Sequence, residues 1–168
     1  GQPTADLSAC ERGGVHGTAV AETLIDISPD VTLYISNPQS LLDLHSAVDW
    51  MISQGVTVIN HSVGWTWEGP GDGTSPYADG ALAAVDQAVA AGVTWINAAG
   101  NEGLSTWTGP WTDIDSNSYL EFSNGSERNA ISSLAGQEII LQARWDDTWS
   151  HATTDIDLYI VSASGEIL

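Results

Sequence analysis

The stretch from 56 to 98 constrains the fold most. "VTVIN" (56–60) is a short apolar run, "YADGALAAVDQAVAAG" carries helical spacing, and "VTWINA" (93–98) is a second apolar run. Uniformly apolar strands joined through a helix mark a parallel sheet buried on both faces. The same alternation starts earlier. Residues 17–26 predict a helix and "VTLYIS" (31–36) a buried strand. "SLLDLHSAVDWMISQG" (40–55) sets Leu41, Leu44, Ala47, Val48, Met51 and Ile52 at the helical period, with Ser40 as N-cap and Gly55 as C-cap. The predicted class is α/β. In such sheets sites gather at the C-terminal ends of the strands. The loops after Asn60 and after Ala99 both fall there.

Beyond Gly103 the texture changes. Polar turns separate β-like runs, "AISSLA", "EIILQARW", "DIDLYIVSA" and "EIL". Ile139, Leu141, Ala143 and Trp145 alternate with period two. The expected division is therefore an α/β part over 1–103 and a β-rich unit over 104–168, cut off in mid-element. The chain opens with the loop-like "GQPTADLSACERGG" and runs straight into a dense motif, which suggests a segment of a longer protein.

The chain has 168 residues, 3 basic against 22 acidic, and a net charge of −19. The cations are Arg12, Arg128 and Arg144. Such a surface repels phosphate backbones, so nucleic acid is not an expected partner. It suits a secreted or salt-exposed protein, since excess charge keeps a chain soluble; a solvated acidic surface without a message about partners is the alternative. Cys10 is the single cysteine, so no internal disulfide forms. No apolar run approaches membrane-spanning length, and residues 1–15 carry no signal-peptide pattern.

Three short motifs fall at the expected sheet edge. "GVHGTAVAE" (14–22) starts a helix on His16, with Gly17, Thr18 and Ala19 behind it. So little bulk fits an imidazole facing a cleft, with Gly17 and Ala19 allowing close packing beneath. "VINHSVGW" (58–65) leaves a strand through Ser62, Val63 and Gly64, a segment slim enough to lie beside an extended peptide backbone. An ordinary strand exit is the alternative. "INAAGNEG" (96–103) ends a strand in Ala98, Ala99 and Gly100, which leave a pocket floor, and sets Asn101 at its rim. The alternative for Asn101 is a turn residue between glycines.

Together and in this order the three resemble the subtilisin-like serine peptidases. "HGTAVAE" is similar to that family's HGTxVAG, "VINHSVG" to its VINMSLG, and "VTWINAAGNEG" to its VVxAAGNEG. The resemblance covers residues 13–103. It implies a subtilisin-like three-layer fold, a parallel sheet with helices on both faces, present here in part. It implies a polypeptide substrate and chemistry that needs no cofactor and no metal. His16 would be the general base, taking the nucleophile's proton and passing it to the leaving amine. Asn101 would donate to the oxyanion, a contact worth about 10²–10³ in rate, a magnitude measured in a subtilisin. Ser62, Val63 and Gly64 would line the bound peptide. Ala98, Ala99 and Gly100 would wall the pocket for the side chain before the scissile bond. The localisation implied is extracellular, with no membrane.

The family's Asp and Ser have no counterpart here. Asp6 in "TADLSA" sits in a loop too close to His16. "GDGTSPYADG" (71–80) offers Ser75 before a helix, but it precedes Asn101 and Pro76 falls in the wrong place. The expected Asp lies upstream and the Ser downstream, in the remaining segments of the parent protease, and the chain alone is expected to be inactive. Residues 144–168 resemble the β-sandwich modules called pre-peptidase C-terminal domains, through their Asp-x-Asp-Leu-Tyr strand. Asp146, Asp147, Asp155 and Asp157 would suit Ca²⁺ as a structural ion, against solvated turn acids as the alternative. His45 is read as a structural or surface residue, His61 as a packing residue with substrate contact as the alternative, and His151 as a loop residue with metal ligation as the alternative. Trp65, Trp67, Trp107 and Trp111 flank the expected cleft loops, as rims for peptide or carbohydrate or as packing. "NGS" at Asn124 matches a glycosylation acceptor. The contrasting function is a non-catalytic peptide- or carbohydrate-binding protein that keeps the fold.

Overall fold

The computed structural model describes residues 14–65, 68–122, 125–149 and 151–168. The readings of Asp6, Cys10, Arg12, Trp67 and Asn124 lie outside the described residues. The chain divides into two compact units, Gly1–Gly100 and Asn101–Leu168.

In the first unit the order is α1 (His16–Ile27), α2 (Leu41–Ser53), β1 (Val58–His61), α3 (Ala81–Ala90) and β2 (Thr94–Asn97). β1 and β2 pair in parallel, with Val58 opposite Thr94 and His61 opposite Asn97. Both strands therefore end at the same edge.

Local chemistry sets each boundary. The Ser40 side chain accepts from Asp43 N at 3.1 Å, and the Asp43 carboxylate accepts from Gln39 N at 3.3 Å, so the first turn of α2 is capped from both sides. At the far end, Gly55 N donates to Ile52 O at 3.0 Å and Val56 N to Met51 O at 3.1 Å. This is a Schellman closure, which needs a left-handed residue, and Gly55 supplies it with φ 74°. Gly55 thus stands one residue past the cap, at Gln54. α3 ends the same way: Gly92 N donates to Val89 O at 2.9 Å and Val93 N to Ala88 O at 3.0 Å, with Gly92 at φ 82°. The local sequences "GVTVIN" and "GVTWIN" repeat because they perform one task twice: ending a helix and launching a strand.

The core comprises Leu44 and Val48 from α2, Ala84 and Ala88 from α3, Ile59 from β1, and Val93. Ala84 and Ala88 are both fully buried at 0% exposure, so small side chains let α3 seat closely against its neighbours. Leu41, Met51, Ile52, Trp65 and Trp95 pack around this centre.

Two expected features take other forms. Residues 31–36 lie outside any strand, and among the described residues the sheet consists of β1 and β2. Val31, Tyr34 and Ile35 are exposed at 43%, 38% and 39%; an apolar run offers material to bury, but a strand also needs a ladder partner. Packing beneath Gly17 is also not seen, since a Cβ there would meet nothing within 4 Å. α1 buries no residue, so its glycine has no neighbour to accommodate.

In the second unit, described residues form a 3₁₀ turn, Glu102–Leu104, and an isolated antiparallel bridge between Val161 and Ile167. Leu141 and Ala143 are half-buried and Gln142 and Arg144 exposed, so the period-two alternation persists locally, but without a ladder. Trp107 packs edge-on against Phe122, with centroids 4.9 Å apart. The Arg144 guanidinium lies 5.2 Å from the Trp149 ring centroid. Among the described residues no helix is long and apolar enough to cross a membrane.

Candidate active site

His16 is the first residue of α1, at a helix start without a side-chain cap. The imidazole is exposed, and its Nε2 lies 2.9 Å from the Ser62 carbonyl oxygen. A carbonyl only accepts, so Nε2 carries the hydrogen. His16, Ala19, Val20, Thr23, Leu24, Asn60 and Ser62 line one open cleft of about 300 Å³. Two sequence-expected elements, the histidine motif and the strand exit, thus meet across 46 positions.

Ser62, Val63 and Gly64 leave the ladder just beyond His61. Val63 is 47% exposed, and Gly64 has open space where a Cβ would stand. Asn60 Nδ2 donates to Ser62 Oγ at 2.9 Å, which holds that hydroxyl beside the strand end. Ala98, Ala99 and Gly100 follow β2 and are exposed, with Gly100 at φ 93°. Ala98 N donates to His61 O at 3.1 Å, extending the sheet bonding one step past β2. Asn101 opens the second unit. It is exposed, caps the 3₁₀ turn, and its backbone N donates to Glu102 Oε2 at 2.7 Å.

Ser75 is tied into its loop. Its hydroxyl donates to Glu68 O at 2.9 Å and accepts from Tyr77 N at 3.1 Å. Asp72 in the same loop accepts from the Thr74 hydroxyl at 2.6 Å and the Thr74 amide at 2.9 Å, and these bonds hold its carboxyl below the usual range. Glu68 accepts from Ala81 N at 3.3 Å and so caps α3, whose N-cap is a glycine.

The other histidines are structural in their contacts. His45 Nε2 donates to Asp79 O at 3.0 Å, with Gly80 O at 3.2 Å, fixing the entry to α3. His61 is 9% exposed and bonded through both ring nitrogens. Spacing alone does not join Asn97 and Trp65 to it; the sequence signal is a polar residue at the last position of each strand. Among the described residues no group of three or more metal-ligating side chains converges. Asp147 accepts from Thr153 N at 2.7 Å, Thr154 N at 2.8 Å and Thr148 N at 2.7 Å. These amides, that of Thr154 foremost, hold its carboxyl down to about 2.

A parallel β-α-β unit with a histidine at its carboxyl edge is an α/β architecture of the kind that places chemistry at strand exits. The model of the Subtilase family matches residues 8–137, more than half of the sequence, and the chain belongs to that family. It is 30% identical over 154 aligned residues to subtilisin amylosacchariticus of Bacillus subtilis subsp. amylosacchariticus and, equally, to subtilisin J of Geobacillus stearothermophilus. Each alignment covers 79% of this chain and 37% of the relative, so the chain spans little more than a third of those relatives' length. No solved structure matches it.

Proposed function

We propose that this chain is a segment of a secreted subtilisin-type serine endopeptidase acting on polypeptides. In this reading His16 is the general base and Asn101 the oxyanion donor. Ser62, Val63 and Gly64 pair with the substrate backbone, and Ala98, Ala99 and Gly100 wall its side-chain pocket. The remaining segments of the parent protein supply the Asp and the nucleophilic Ser, further strands and helices that complete the three layers, and the rest of a β-sandwich insertion begun after Gly103.

One observation carries the reading: His16 and Ser62, from two of the motifs, line one cleft of about 300 Å³, with the imidazole against the Ser62 backbone. It sets the imidazole beside the backbone that would bind a peptide. In a complete triad a carboxylate accepts from Nδ1–H and leaves Nε2 free to take the nucleophile's proton. Supplying that carboxylate would therefore move the His16 hydrogen from Nε2 to Nδ1. The bond to Ser62 also favours a second reading, a non-catalytic peptide-binding protein, because it occupies the nitrogen a base would use.

A fluorophosphonate probe separates the two. The 168-residue chain is expected neither to label nor to hydrolyse casein. The parent polypeptide is expected to label at a serine downstream of residue 168, and His16→Ala to abolish labelling. Labelling at Ser75 overturns the downstream placement of the nucleophile, and no labelling in the parent polypeptide contradicts the endopeptidase reading.

A further inference from the structure

The chain ends of β1 and β2 are joined by side chains that the proposed chemistry does not use. Trp65 Nε1 lies 3.2 Å from His61 Nε2, His61 Nδ1 lies 2.7 Å from Asn97 Oδ1, and Asn97 Nδ2 lies 2.8 Å from Ala98 O. An indole N–H only donates, so His61 Nε2 accepts. The neutral ring then carries its hydrogen on Nδ1 and donates to Asn97 Oδ1. The Asn97 amide nitrogen donates onward to Ala98 O. Ala98 N returns the chain of bonds to His61 O at 3.1 Å. Each group donates or accepts in the only sense open to it, so the circuit has one arrangement.

Its members sit where the two substrate-facing segments begin. His61 directly precedes Ser62, and Asn97 directly precedes Ala98. The two face each other in the ladder register. The His61 ring also lies against Trp95, with centroids 5.1 Å apart. His61 is a departure of this chain from the motifs given above, standing where VINMSLG has methionine, and Asn97 fills the open position of VVxAAGNEG. A thioether at that point would pack but could not donate to Asn97.

We propose that His61, Asn97 and Trp65 form a positioning unit that fixes the spacing of the Ser62–Gly64 and Ala98–Gly100 exits, and so presets the width of the slot that receives an extended peptide. The peptide role rests on the endopeptidase reading; the positioning of the two exits does not. None of the three touches the reacting atoms. They act through the backbone that follows them, by removing alternative arrangements before a peptide arrives.

The test uses nitrogen-15 imidazole spectra and amide exchange on the chain, and peptide kinetics on the parent enzyme. The expected His61 signature is a protonated Nδ1 and a bare Nε2. Trp65→Phe keeps a ring but removes the donor, and Asn97→Leu keeps the size but removes both bonds. Each is expected to mix the tautomers and speed exchange of the Ala98 amide by between about twofold and tenfold, the scale of one lost hydrogen bond. KM should rise over the same range with kcat unchanged, and Asn97→Gln should recover part of the loss. A hydrogen on His61 Nε2 in the unaltered chain, or Ala98 exchange unmoved by Trp65→Phe, overturns the proposal. Absence of His16-dependent hydrolysis in the parent enzyme removes the endopeptidase reading instead, and leaves the spectra and exchange rates to decide the positioning unit.

Discussion

Residues 41–97 and residues 101–168 were equally explicit as text, yet only the first stretch became a sheet. In 41–97 each helix ends in a left-handed glycine whose closure aims the chain directly into a strand. The two strands then find each other through the intervening α3, and the core residues of both helices arrive on the same side. In 101–168 the period-two runs have alternation without instructions for pairing. The exception explains the rest. Ser162 N donates to Glu166 O at 2.7 Å and Leu168 N to Ile160 O at 2.9 Å, with Gly165 turning at φ 92°. A tight turn closes there, and there alone among the described residues of the unit a bridge forms, between Val161 and Ile167. Alternation says which face is apolar; a turn says which partner and which register.

The two regions differ most at the core. Leu44 is 3% exposed and Leu158 57%. Leu44→Ala is expected to destabilise the first unit by about 2–5 kcal/mol, and Leu158→Ala to stay within about 0.5 kcal/mol, both read from urea denaturation followed by tryptophan fluorescence. Equal effects would mean that the two regions are not organised differently. Next in size is Gly92→Ala. A Cβ there meets nothing within 4 Å, so the cost is conformational only. It should be about 1–2 kcal/mol, the penalty of a left-handed alanine. A neutral result would show that the α3-to-β2 closure does not set the strand.

The smallest effect sharpens the other side. Asp147 is held from its ordinary 3.8 down to about 2 by amides of Thr154, Thr153 and Thr148. A depressed carboxyl stabilises the folded loop fully above its ordinary value and loses that contribution as pH falls through the folded value. The Thr153 and Thr154 amide resonances should therefore titrate with a midpoint near 2. A midpoint near 3.8 would show that the loop is not bonded as described.

The same contrast governs what the sequence made legible. α1, α2, α3 and the two parallel strands follow from apolar spacing, Ser40 and two glycines, all local signals. Residues 31–36 did not become a strand because partnership is not a local property. Within the candidate site, the His16 motif and the Ser62 exit are each legible as motifs, but the bond that joins them spans 46 positions and is a tertiary contact. The circuit through His61, Asn97 and Trp65 is not legible, because it depends on the register that sets His61 opposite Asn97.

The proposed endopeptidase function requires His16 as its general base. The direct measurement is kcat for a peptide amide in the parent enzyme, with and without His16→Ala. That role predicts a fall of about 10⁶, the scale seen when the histidine of a subtilisin is removed, with KM little changed. A kcat within about tenfold of the unaltered enzyme would contradict it.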